Sequence, residues 1–148
     1  MSRYAPAILI LIGAWFAFGG TLPDWGNVLP IPAVNPIKKP GFAVLMVYES
    51  EKLDQYTEAQ KTILWAADLR QELNALCSKG ETGWPDYRIL DSEADMTNDS
   101  QWWRDAMATP RTSYPWLVVS GGKKNYDGPL PATLEDARKL IKDCKGDK

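Results

Sequence analysis

Histidine is absent from this sequence. That removes the usual general base near neutral pH, the Ser-His and Cys-His nucleophile pairs, and the commonest metal ligand. Cysteine is scarce as well, with only Cys77 and Cys144, so a cysteine-rich zinc site is excluded. A basic excess is also lacking: the formal net charge of −2 leaves no footprint for nucleic acid. No cofactor and no metal is expected, and the chain reads more as a binding module than as an enzyme. At 148 residues there is room for one folded domain.

Charge is missing locally too. Between Arg3 and Asp24 the run from Tyr4 to Pro23 carries none. An uncharged stretch of about twenty residues is long enough to cross a hydrocarbon core as a helix. Arg3 on one flank against Asp24 on the other favours an amino end in the cytoplasm and a C-terminal domain outside it, on the periplasmic or extracellular side. Residues 1–22 are therefore expected to be an uncleaved signal anchor or transmembrane helix. The small-x-small triplet Ala17-Phe18-Gly19 leaves open secretion after signal cleavage. Residues 23–40 hold Pro23, Pro30, Pro32, Pro36 and Pro40. Proline removes backbone donors and biases the residue before it toward extended conformations, so this stretch reads as a spacer.

From residue 41 onward the sequence has a regular rhythm. Phe42 to Tyr48, "FAVLMVY", is apolar on both sides of a pleat, the pattern of a central strand covered on both faces. Thr57-Glu58-Ala59-Gln60 has the form of a capping box. Ala59, Ile63, Ala66, Leu69, Leu73, Leu76 and Cys77 follow at three- and four-residue steps, predicting one helix of about twenty residues that ends before Gly80. A short strand is expected at Tyr87–Leu90, a short helix at "QWWRDAMAT", and a strand pair hinged at Gly121-Gly122. A last helix capped by Thr133 should bury Leu134, Ala137, Leu140, Ile141 and Cys144. This order demands an α/β fold with a mixed sheet and helices on both faces.

Asp91, Glu93, Asp95, Asn98 and Asp99 superficially suggest calcium ligands. Met96 stands where such a loop needs glycine and Trp102 where it needs the closing glutamate, so a solvated acidic loop is the better account.

The element order, with the segments "RTSYPWLVV", "RILDSEAD" and "KNYDGPLPATLEDARKLI", resembles the thioredoxin-like fold across Phe42 to Cys144. The resemblance implies a three-layer sandwich around a mixed four-stranded sheet for residues 41–148, and a cis Tyr114-Pro115 bond entering the third core strand. The family's oxidoreductases carry Cys-x-x-Cys at the start of the first helix, where helix-terminal amides favour a thiolate. Here that segment is "ESEKLDQYT", without cysteine. Pro115 is expected to face a turn bearing Glu49, Glu51, Lys52, Asp54 and Tyr56.

With the anchor expected over residues 1–22, the resemblance thus implies a membrane-anchored, redox-inactive thioredoxin-like domain that binds an unknown protein or peptide through the cis-proline face. Tyr56, Trp103, Tyr114, Pro115 and Trp116 are the expected contact residues, an aromatic patch suited to recognition. In that fold the carboxyl ends of the first and last helices come together, which suggests a Cys77–Cys144 disulfide, with two buried free thiols as the alternative. Two other functions stay open. One is a structural or assembly protein, since the Tyr-Pro-Trp and Gly-Pro-Leu-Pro pattern is similar to that of small thioredoxin-like proteins from bacterial viruses. The other is a thiol-disulfide oxidoreductase using Cys77 and Cys144.

Overall fold

The computed structural model describes residues 35–146. The anchor expected over 1–22 and the spacer up to residue 34 lie outside the described residues. Among the described residues no helix is long and apolar enough to cross a membrane.

Strand β1 (Ala43–Tyr48) is followed by a 3-10 segment (Ser50–Gln55) and by helices α1 (Glu58–Trp65) and α2 (Ala67–Leu76). Then come β2 (Tyr87–Asp91), α3 (Gln101–Ala108), β3 (Trp116–Ser120), β4 (Tyr126–Pro129) and α4 (Leu134–Lys145). The strands form one mixed sheet in the order β2-β1-β3-β4. Strand β1 runs parallel to β2 and antiparallel to β3, with Val44 opposite Tyr87 on one side and Val119 on the other. Hairpin β3-β4 pairs Leu117 with Gly128.

The unbroken apolar run of β1 is explained by two cores. Alternate residues Val44 and Met46 join Ile63, Leu69, Leu73, Leu117, Val119, Ala137 and Ile141 on one sheet face. Ala43, Leu45 and Val47 join Ile37, Val118, Trp103 and Ala106 on the other. Helices α1, α2 and α4 thus cover one face and α3 the other. Each fully buried aliphatic side chain contributes roughly 1.5–3 kcal/mol, so β1 is the most heavily stabilised element.

Thr57 caps α1 as expected: its hydroxyl accepts from the Gln60 amide at 3.1 Å while the Gln60 side chain accepts from the Thr57 amide at 3.0 Å. Thr133 likewise accepts from the Asp136 amide at 3.1 Å. The single long helix expected from residue 57 onward is instead two, broken at Ala66, whose ψ is 118°. Ile63 and Leu69 lie about 120° apart on a continuous helix at 100° per residue. The extended Ala66 rephases the chain so that both reach the sheet, and both are buried.

The folded body also begins earlier than residue 41. Ile37 is buried, its amide donates to Ser120 Oγ at 3.3 Å, and Ser120 Oγ donates to the Ile37 carbonyl at 3.0 Å. Lys39 forms a buried ion pair with Asp86, and its ammonium lies 5.8 Å from the Trp102 ring. The end of the expected spacer is therefore packed structure.

Candidate functional site

At the carboxyl end of β1 the chain turns through Glu49 and the 3-10 segment before α1. On the opposite side, the segment after α3 approaches β3. Between them lies a cleft of about 550 Å³, lined by Glu49, Lys52, Gln55, Tyr56, Gln60 and the run Arg111 to Tyr114. The Tyr114–Pro115 peptide bond is cis. No cysteine is among the lining residues.

One wall is organised by Tyr56. Its ring is buried, and its hydroxyl accepts from the Glu49 amide at 2.8 Å while lying 3.4 Å from the Glu49 carbonyl, to which it donates. Burial pushes its phenol pKa above the usual value. The Glu49 carboxylate pairs with Lys52 Nζ at 2.5 Å, and this contact, first through its hydrogen bond, raises the Lys52 pKa. Asp91, at the end of β2, braces the same wall: its carboxylate accepts from the Glu93 amide at 2.8 Å and the Ser50 amide at 2.7 Å. Those bonds, the Glu93 amide foremost, hold its pKa below the ordinary carboxylate range.

The other wall hangs on Arg111. Its guanidinium donates to the carbonyls of Ala106 at 2.6 Å, Met107 at 3.1 Å and Thr109 at 3.0 Å. It thereby closes the carboxyl end of α3, where the helix leaves carbonyls without intrahelical partners. Its Nε is buried without a hydrogen-bond partner. Beyond it, among the described residues, no hydrogen bond engages the backbone of Thr112, Ser113 or Tyr114. Pro115 itself is buried, and its carbonyl accepts from the Leu130 amide at 2.9 Å.

The five residues expected to form an aromatic patch divide between two places, with Tyr114 touching both the cleft and the core that holds Trp103 and Trp116. Tyr56 and Tyr114 line the cleft. Trp116 packs with the core on the opposite sheet face, and its Nε1 donates to Asp127 Oδ1 at 2.6 Å. Trp103 is buried in that same core with the Arg88 guanidinium 5.4 Å from its ring. For Trp116 the cause is strand alternation. Leu117 and Val119 face α1 and α2, so Trp116 and Val118 must face away. That signal was present in the sequence. Arg111, Gln55 and Gln60 carried no comparable signal, because their places come from tertiary packing.

Cys77 and Cys144 are free, buried thiols, in place of the expected bridge. Both belong to the same core, yet their neighbours differ. Cys77, just past α2, feels Lys145 and Asp86, whereas Cys144 feels Asp143 and Lys124 and lies close enough to influence Tyr126. The carboxyl ends of α2 and α4 do meet, with Lys145 Nζ donating to the Leu76 carbonyl, yet the two thiols remain unbonded. Burial pushes the Cys77 thiol up to about 12 and also raises Cys144. Among the described residues no group of acidic or cysteine side chains is arranged to hold a metal ion, the 91–99 loop included.

No protein-family model, curated protein or solved structure gives a significant match to this chain.

Proposed function

We propose that residues 41–148 form a redox-inactive thioredoxin-like domain, anchored by residues 1–22 and placed outside the cytoplasm, that binds an extended polypeptide segment through the cleft beside Pro115. The strand order β2-β1-β3-β4, helices on both sheet faces and the cis bond before β3 support the fold assignment. One observation carries the binding role: the backbone of residues 112–114 runs along the cleft with no hydrogen bonds among the described residues. Residues 112–114 form a bend leading into β3, and their main-chain groups can offer a peptide the kind of hydrogen bonds that β-augmentation uses for affinity, with adjacent pockets giving selectivity. Lys52 and Arg111 against the single carboxylate of Glu49 leave the cleft one positive charge in excess, which suits an acidic side chain or a free carboxyl terminus.

The thiol-enzyme alternative is disfavoured because Cys77, at about 12, stays protonated near neutral pH and neither thiol lines the cleft. Placing a photo-crosslinking side chain at Thr112 or Ser113 in the full chain tests the proposal. A partner polypeptide should be captured there and not from Lys139 on α4, and Tyr114→Ala should abolish the capture. Equal capture from Lys139, or disulfide-reductase turnover by the wild-type chain, would overturn it.

A further inference from the structure

At the sheet end remote from the cleft, three turns meet. The Gly121 backbone packs so tightly on Gly41 that a Cβ there would stand 1.9 Å from the Gly41 carbonyl oxygen. The Phe42 amide donates to Ser78 Oγ at 2.8 Å. Segments 37–41, 78–86 and 121–125 therefore make one surface. Lys38, Lys79, Lys123 and Lys124 are all exposed on it. Among the described residues none of the four has a carboxylate within 4 Å. Among the described residues Glu81 and Asp143 are exposed acids nearby and half-buried Asp99 lines a pocket with Glu81 and Thr82, while Asp86 is buried against Lys39 and cancels that charge.

The same surface displays Trp84, which is 72% exposed. Its turn is braced, with the Gly80 amide donating to the Trp84 carbonyl at 2.7 Å and the Asp86 amide to the Ser78 carbonyl at 2.8 Å. The indole is thus held outward on a hydrogen-bonded frame. Asn35, the first described residue, also lies here, its Oδ1 accepting from the Gly121 amide at 3.2 Å. The uncharged run Tyr4–Pro23 precedes it in the sequence. Eleven residues separate Pro23 from Asn35, a reach of at most about 43 Å.

We propose that this pole seats on an anionic lipid bilayer, the lysines against headgroup phosphates and Trp84 in the interfacial layer. Lysines near an anionic surface gain from its negative potential, and tryptophan prefers the boundary between headgroups and hydrocarbon. A nucleic acid would also attract the lysines, but an outward indole on a braced turn, downstream of an apolar run, fits lipid better. The inference holds whether or not the cleft binds a peptide.

The test uses the full chain in vesicles of phosphatidylcholine alone or mixed with phosphatidylglycerol, with a fluorophore on Thr82→Cys or, as control, on Ser113→Cys in the cleft. Cys77 and Cys144 are buried, so labelling is selective for the introduced thiol. Brominated lipids should quench the Thr82 probe only on anionic vesicles, and high salt should reverse the effect. Lys123→Gln/Lys124→Gln should reduce the seated fraction's equilibrium by roughly fivefold per charge. Trp84→Ala should weaken quenching without restoring it by low salt. Equal quenching on both lipids, equal quenching at Ser113, or no quenching at Thr82 would overturn the proposal. So would capture of polyphosphate or RNA by this pole together with indifference to vesicles.

Discussion

At one end of the sheet three turns interlock around Gly41, Ser78 and Gly121, whereas at the other the segments 49–56 and 111–114 face each other across an open cleft. The interlocked end uses its polar groups internally: Ser120 bonds the Ile37 backbone, and Lys39 is spent on Asp86. The open end leaves backbone groups of 112–114 without partners among the described residues. Fold maintenance and recognition thus occupy opposite ends of one sheet. Substitutions should separate along the same line.

The largest effect belongs to the interlocked end. Lys39→Met leaves the Asp86 carboxylate buried without its cation, and breaking a buried pair in this way costs about 3–5 kcal/mol. Urea unfolding should show that loss; a midpoint equal to wild type would mean the pair is solvated and the two ends are less different than described. Gly121→Ala comes next. Gly121 has φ of 79°, and its new methyl would meet the Gly41 carbonyl, so about 2 kcal/mol should be lost. An unchanged thermal midpoint would show that the turns are loosely joined.

Thiol chemistry sharpens the contrast. Cys77 sits at the interlocked end with its pKa raised to about 12 by burial. The folded state therefore holds its proton where the unfolded chain releases it, near 8.5. The resulting stability is complete below that pH and declines as pH rises toward 12. Cys77→Ala should flatten the alkaline limb of a stability profile, and native Cys77 should alkylate far more slowly than a thiol introduced at Ser113. Comparable alkylation rates at the two positions would contradict the comparison. The smallest expected effect is at the open end, where Ser113→Ala, on exposed backbone, should change stability by no more than about 0.5 kcal/mol.

Much of this arrangement was legible in the sequence. The two-sided burial of β1 follows from "FAVLMVY", the start of α1 from the Thr57–Gln60 capping box, and the cleft wall around Glu49, Lys52 and Tyr56 from the segment expected opposite Pro115. The break at Ala66 was not, because no proline or glycine marks it and only the sheet's demand for both Ile63 and Leu69 requires it. Nor was the role of Arg111, which depends on where α3 ends in space. The aromatic patch failed for a different reason. Sequence proximity around Pro115 suggested one exposed patch, whereas Trp116 packs with Trp103 on the sheet face opposite α1 and α2, and Tyr114, before the strand begins, both lines the cleft and touches that core.

The attachment of residues 35–39 has a mechanical consequence. Strand β1 lies between β2 and β3, hydrogen-bonded on both sides, and follows those residues in the chain. A pull applied upstream of Asn35 is first borne by the Ile37–Ser120 hydrogen bonds and the Lys39–Asp86 pair, and reaches β1 only after they yield. Load delivered along a central strand shears several hydrogen bonds together instead of peeling them singly. Tension entering from the amino-terminal side would thus meet this clasp before it reaches the central strand.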